Sequence, residues 1–178
     1  ALEIVKTHVK NKNLIKHMLA VEAVMQALAP KFGCDQEEWA LAGLLHDIDY
    51  DLTFDNPAEH SLLGATMLAN YELPDIIVKA VRAHNEAHGI ERVSHMDKAL
   101  YCCDPVTGLI VAAALIHPAK KIGAIDKDFV VNRFHEKSFA RGAKRETILA
   151  CSELGLSLDE LIGVALVAMQ ERAADLGL

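Results

Sequence analysis

Six side chains of metal-ligating type stand among apolar neighbours in this 178-residue chain: His17, His46, Asp47, His60, His84 and Asp104. The adjacent pair His46-Asp47 falls inside the run WALAGLLHDIDYD, residues 39–51. Trp39 to Leu45 reads as a helix that is apolar on nearly every face, and such a helix is buried. It delivers an imidazole and a carboxylate into the interior, where each is costly without a partner. Neutral histidine nitrogen and aspartate oxygen are both favoured ligands of divalent metals, so one metal site would satisfy them together. A single histidine on an apolar face is more often a core residue with its hydrogen bonds satisfied. Four of them with two carboxylates, on separate predicted helices, point instead to a shared centre, because uncompensated buried charge is avoided.

The elements that must position these groups follow from periodicity and capping. Leu14, Met18, Val21, Val24, Met25 and Leu28 recur at three and four, which predicts a helix capped by Asn13 and ended before Pro30. His17 shares its buried stripe. Gly33 breaks the chain, and Asp35, with Glu38 in the capping-box position, opens the helix that leads to the doublet. Residues 48–56 read as a polar loop with Asp49, Asp51 and Asp55 solvated, any one of which could orient a ligand from behind. Pro57 is expected to open the next helix, with His60, Gly64 and Met67 on one face and Gly64 allowing another helix to approach. Pro74 opens a fourth, with His84 near its end. Ser94 and Asp97 cap a long apolar helix in which Pro105 follows Asp104, so a kink or break is expected there. Asp126 caps a helix through His135, and Ser157 with Glu160 caps the last one. Residues 1–12 read as an arm or a first helical turn. Strand signals are nearly absent, and the expected class is all-α. The expected organisation is a single domain over 1–178, with a core at about 13–117 and C-terminal helices at 126–178 packed on it.

Hydrophobic residues make up 52% of the chain and aromatics only 5%, a mixture that suits close-packed helices. No apolar run approaches the roughly 18 residues of a membrane span, and no signal-peptide pattern opens the sequence, so no membrane partner is expected. The formal net charge of −7 argues against a nucleic-acid polymer as partner, since such surfaces carry a basic stripe. A metal centre would still supply a local positive field for an anionic substrate. Cys34, Cys102, Cys103 and Cys151 lack metal-binding spacing and are expected to be reduced, in a cytoplasmic protein. Cys102 and Cys103, beside Asp104, are assigned to core packing. His8, His88, His95, His117 and His135 read as surface residues. Against the acidic background, Arg141, Lys144 and Arg145 cluster around Gly142 at the start of a predicted helix. With Lys98 and Arg82 they are candidates for phosphate contacts, solvated surface charge being the alternative for each. Gly142 would let backbone amides approach an anion.

The order His17, His46-Asp47, Asp104 resembles that of the HD superfamily of metal-dependent phosphohydrolases. His60 and His84 resemble the additional ligands of its six-ligand dinuclear branch. EHSLLGATML, residues 59–68, resembles that branch's His-bearing helix, and MDKALYCCDPVTGLI, residues 96–110, its closing segment around the last Asp. RAHNE, residues 82–86, resembles its His-His-Glu segment with Asn85 in place of the second His. The branch includes HD-GYP cyclic-di-GMP phosphodiesterases, HD-type diadenosine tetraphosphate hydrolases and, more distantly, myo-inositol oxygenase; this chain has no GYP motif. The resemblance spans roughly residues 13–116. It implies an HD-type helical bundle, here with a C-terminal helical extension. It also implies a divalent transition-metal cofactor, two ions with Fe or Mn foremost and Ni, Co or Zn acceptable. By the same resemblance Asp47 bridges the ions, His17, His46 and Asp104 complete one, and His60 with His84 hold the other, with Asp47 and His46 at the reacting water or hydroxide. The expected activity is a phosphomonoesterase, nucleotidase or phosphodiesterase acting on a small phosphorylated metabolite or nucleotide. A di-iron oxygenase on the same ligands and a non-catalytic nucleotide- or metal-binding regulatory module are the alternatives.

Overall fold

Amphipathic and apolar helices without strands to cover them can bury their apolar faces only against each other. The computed structural model describes residues 1–178 and consists of α-helices joined by turns and short 3-10 segments, with no strand. The helices are α1 (Leu2–His8), α2 (Lys12–Leu28), α3 (Gln36–Leu45), α4 (Tyr50–Thr53), α5 (Leu62–Asn70), α6 (Asp75–Ala83) and α7 (His95–Ile116), then α8 (Lys127–His135), α9 (Arg145–Leu149), α10 (Leu158–Glu171) and α11 (Ala173–Leu176). The result is the all-α bundle expected. Helix α7 is its axis: α2, α6, α8, α9 and α10 all pack on it, and α10 also reaches α2.

The closest helix pair is the one that matters for the site. A Cβ at Gly43 in α3 would sit 2.7 Å from the Val21 carbonyl oxygen of α2, so only glycine permits this approach. The end of α3, with His46 and Asp47, is thereby brought beside His17 of α2. Six of the ten residues of α3 are buried, as its unbroken apolar run requires. The N-caps of α3, α7, α8 and α10 form as expected, with reciprocal capping boxes at Ser94/Asp97 and Ser157/Glu160, whereas Asp35 caps α3 alone, without the return bond from Glu38. Helix α2 differs: Asn11, not Asn13, is its cap, its side-chain oxygen accepting from the N–H groups of Asn13 and Leu14.

Two prolines were misleading as local signals. Residues 57–61 form turns rather than a first helical turn, and α5 opens only at Leu62. The reason is tertiary: Ser61 is held at a left-handed φ of 72°, its N–H donating to Asp49 and its hydroxyl to the Arg82 carbonyl. Conversely, α7 runs unbroken through Pro105, and Asp104 lies within the helix rather than at an end. Burial of twelve α7 residues outweighs the roughly 3 kcal/mol that an interior proline costs. By length and composition alone α7 is apolar enough to cross a membrane, unlike the short runs noted in the sequence, yet 56% of its most apolar window is buried in the bundle. The cysteines carry no disulfide, and Cys102, Cys103 and Cys151 are in the core.

The basic stretch after α8 is used structurally at one of its three members. Arg145 points into its own loop and donates to the carbonyl oxygens of Arg133, Phe134, Glu136, Phe139, Ala140 and Ala143. It is a loop anchor, not the phosphate contact expected, because a guanidinium saturated by backbone acceptors has no donors left for substrate. A hydrogen bond to a charged group contributes about 1.5–3 kcal/mol net of the bonds exchanged with water, and six that share one guanidinium are not additive. Arg145→Gln should therefore lower the unfolding free energy by about 2 kcal/mol or more. A denaturant titration should show the midpoint falling with little change in slope; an unmoved midpoint would contradict the anchoring role.

Candidate metal centre

The six groups singled out in the sequence converge at one point where α2, α3, α5, α6 and α7 meet. Asp47 is at the middle, and its two carboxylate oxygens face different partners. Its Oδ2 lies 3.4 Å from His46 Nε2 and 3.8 Å from His17 Nε2. Its Oδ1 lies 3.4 Å from His60 Nε2 and 3.6 Å from His84 Nε2. Asp104 Oδ1 is 3.1 Å from His17 Nε2 on the first side. Three overlapping triplets, His17/His46/Asp47, His46/His84/Asp104 and Asp47/His60/His84, have ligand atoms within 4.8 Å of one another, the spacing of donors around a metal ion.

Every imidazole is turned the same way by a hydrogen bond at its other nitrogen. His46 Nδ1 is 2.8 Å from the Gly43 carbonyl and His84 Nδ1 is 2.6 Å from the Val81 carbonyl. His60 Nδ1 is 2.9 Å from Asp49 Oδ1, and His17 Nδ1 is 3.2 Å from the Thr107 hydroxyl. That hydroxyl gives its own proton to the Asp104 carbonyl, so it accepts from His17. With the proton placed on Nδ1, each Nε2 is left as an acceptor lone pair directed at the centre, the tautomer a metal requires. His46 Nε2 is fully buried and has no hydrogen-bond partner in the protein. A buried imidazole nitrogen with its lone pair free of protein partners suits coordination, so the residues present fit a divalent ion.

Asp49 was expected to be solvated, yet it is completely buried. Besides holding His60, its Oδ2 accepts from the N–H groups of Ser61 and Gly64 at 2.8 and 2.7 Å. A Cβ at Gly64 would lie 3.1–3.3 Å from this carboxylate, so the glycine admits Asp49 rather than a helix. Asn85 and His88, the latter expected at the surface, both reach the His60 carbonyl, at 3.2 and 2.7 Å. His60 is therefore fixed from two directions, by Asp49, one of the three loop aspartates able to orient a ligand from behind, and by Asn85 and His88, which the sequence did not assign to that role.

Charge balance inside the cluster is tight. Burial works to raise the Asp47 pKa, but the imidazoles of His46, His84 and His17 hold it well below the carboxylate range. Asp104 is likewise held low against desolvation, chiefly by His17. Desolvation lowers His17 and His84, but Asp104 and Asp47 outweigh it and leave both above the usual histidine value. At His46 desolvation prevails and the pKa is lowered.

Two openings touch both His60 and Asp104, and a third, of about 470 Å³, reaches the cluster only at His17. Of the first two, one, of about 350 Å³, lies on the side of Asn11, His17 and Tyr50. The other, of about 220 Å³, is lined by His84, Asn85, Glu86, Tyr101, Gly142 and Lys144 among others. Of the candidate phosphate contacts, only Lys144 lines an opening to the cluster. Arg82 borders a separate cleft with Asp75 and Lys79, and Lys98 and Arg141 line neither opening.

The HD domain family model matches residues 14–127. Ribonuclease Y of Mycoplasma mycoides is 27% identical over 156 residues, covering 85% of this chain and 34% of that protein. Ribonuclease Y of Nitratiruptor sp. is 30% identical over 139 residues, 76% of this chain and 26% of the relative. Ribonuclease Y of Aliarcobacter butzleri is 35% identical over 91 residues, 51% and 17%. The chain thus spans about a third or less of the length of these curated relatives. No solved structure matches.

Two predictions follow from the geometry. Asp49→Asn should weaken divalent-metal affinity by about 10–100-fold, as loss of a ligand's hydrogen-bonded carboxylate generally does; calorimetric titration with Mn²⁺ measures it, and unchanged affinity would remove Asp49 from the centre. The second concerns pH. His17 and His84 have folded-state pKa values above the ordinary 6.5, so their stabilisation of the metal-free protein is complete below that pH and lost as pH rises through the raised values. His46, lowered, acts in the opposite sense only below 6.5. Metal competes with protons for the same nitrogens and binds better as pH rises. The gap in melting temperature between Mn²⁺-loaded and metal-free protein should widen from pH 6.5 to about 8.5; a constant or shrinking gap would contradict the assignment.

Proposed function

Because the chain belongs to the HD-domain family, we propose that it is a metal-dependent phosphohydrolase acting on phosphate esters of ribonucleotides, free or within RNA. The observation that carries the proposal is Asp47, whose two oxygens face two separate histidine pairs across 3.4–3.8 Å. A carboxylate placed in that way suits a bridging role between two ions. In this reading His17, His46 and Asp104 hold one ion, His60 and His84 the other, and Fe or Mn are the foremost candidates for a nitrogen-and-oxygen donor set of this kind. When bound, the ions supply a water activated near neutral pH and positive charge for the phosphoryl oxygens.

The protein's own part is positional. The Nδ1 partners keep four imidazoles in one tautomer, and Asp49, Asn85 and His88 stop His60 from turning away. Asp47 stays ionised despite burial, so it is ready as a ligand at any working pH. The polar opening on the Lys144 side gives a phosphorylated substrate room beside His60, His84 and Asp104.

Net charge by itself pointed away from nucleic-acid polymers. The relatives matched over part of their length are named ribonucleases, which supports an RNA phosphodiester and lends no support to a small non-nucleotide metabolite. In a chain of charge −7 the local positive field for a polyanion would come from bound metal ions.

The test is hydrolysis by protein loaded in turn with Mn, Fe, Co and Ni, offered bis-p-nitrophenyl phosphate, 5′-nucleotides and a short oligoribonucleotide. Metal-dependent release of phosphate or of shortened RNA is expected. No hydrolysis by fully loaded protein, or turnover that consumes oxygen, would contradict the proposal. Asp47→Ala should lower both metal content and rate, the rate by about a thousandfold or more, on the scale of losing a principal electrostatic stabiliser. His60→Ala should be milder and cost one ion. An Asp47→Ala protein with full metal content and rate would overturn the proposed centre.

A further inference from the structure

The opening beside His84 has a volume of about 220 Å³, below the roughly 300 Å³ at which sites for whole drug-sized ligands begin. It therefore admits one part of a substrate. Only one of its ten lining residues is hydrophobic, so it offers no pair of apolar walls between which a nucleobase would stack. Of the aromatic rings there, the His60 and His84 imidazoles are turned to the cluster, and Tyr101 already carries the Arg92 guanidinium 3.7 Å over its face. A second phosphate is no better suited. The single lysine lining the pocket, Lys144, is paired with the Glu86 carboxylate, so this wall has no free positive charge.

What remains is an arrangement of hydrogen-bonding groups on the scale of hydroxyls. The Tyr101 hydroxyl donates to Glu86 Oε2 at 2.9 Å, and the Thr147 hydroxyl donates to the Tyr101 oxygen at 3.4 Å. Asn85 caps the turn that carries Glu86, its side-chain oxygen accepting from the Ala87 N–H. Glu86 is thus oriented by Lys144, Tyr101 and its own turn before a ligand arrives. A carboxylate has about four lone-pair sites, and these contacts use two. Glu86 lines the same pocket as the metal-ligand candidates His60, His84 and Asp104.

We propose that this pocket is a sugar subsite, in which Glu86 accepts hydrogen bonds from ribose hydroxyls, the 2′-hydroxyl among them, while the phosphate lies at the metal centre. The assignment rests on the phosphohydrolase reading and specifies the part of the substrate that the reading leaves open. Lys144 donates to a hydroxyl oxygen from the other side of the same carboxylate, and Tyr101 keeps Glu86 in place. A site that hydrogen-bonds a hydroxyl binds the analogue lacking it less well, and because the Glu86 side chain is 44% exposed, water takes up part of the lost contact. Deoxygenation at the 2′ position should therefore weaken binding by about tenfold or more.

The experiment uses the Mn²⁺-loaded full chain and calorimetric affinities for two matched pairs, AMP with 2′-deoxy-AMP and ribose 5-phosphate with 2-deoxyribose 5-phosphate, plus inorganic phosphate. A ribo preference of about tenfold or more in both pairs is expected, falling to within about twofold in Glu86→Gln and in Tyr101→Phe. The ratio within each pair is the readout, since a general structural defect would weaken both members together. Equal binding of ribo and deoxy forms, a preference confined to the AMP pair, or a preference surviving both substitutions would overturn the sugar subsite and leave the phosphohydrolase reading standing. Failure of the metal-loaded protein to bind inorganic phosphate or any of the four esters would overturn both.

Discussion

A carboxylate only 6% exposed, Asp47, lies among four imidazoles, and the interior of the bundle is arranged around keeping it ionised. Burial alone would neutralise it. The histidines reverse that, and each can do so only because another part of the chain holds its ring. The centre therefore draws on five helices at once, and its geometry depends on their packing rather than on any one segment. Asp47 is also the group whose two oxygens address both halves of the cluster, the observation on which the proposed bridging role rests.

Close packing supplies the necessary accuracy. Gly43 lets α2 and α3 approach until a side-chain carbon would strike the Val21 carbonyl, and Gly64 gives the Asp49 carboxylate room behind His60. Ser61 is held at a positive φ between the Asp49 carboxylate and the Arg82 carbonyl, a strained conformation beside a functional residue. These positions carry no metal-binding chemistry, yet a displacement at any of them would move a ligand. Arg145 performs a comparable service outside the centre, gathering six carbonyls so that the loop bearing Lys144 stays beside the pocket.

The parts of this arrangement that were legible in the sequence are those written locally. Capping residues such as Ser94, Asp126 and Ser157 act within one turn, and the six ligand candidates stood out as polar residues in apolar runs. Asp49 was misread because its partners, Ser61 and Gly64, lie 12 and 15 residues away, and nothing local distinguishes it from solvated Asp51. Its one signal was position: it follows Ile48, fully buried, at the end of the helix that enters the core. Pro57 and Pro105 were read by local rules that tertiary hydrogen bonds and core burial override. Arg145 was counted as one of a basic cluster, although its fate depended on a ring of backbone carbonyls that no composition displays.

The most direct test of the bridging assignment is anomalous diffraction from crystals of protein purified without chelator, with data on both sides of the Mn and Fe absorption edges. The account predicts two peaks per chain, one about 2.0–2.3 Å from the Nε2 atoms of His17 and His46, the other at the same range from those of His60 and His84, with Asp47 touching both. A single peak with His60 and His84 outside ligand distance, or two peaks neither of which contacts Asp47, would contradict it.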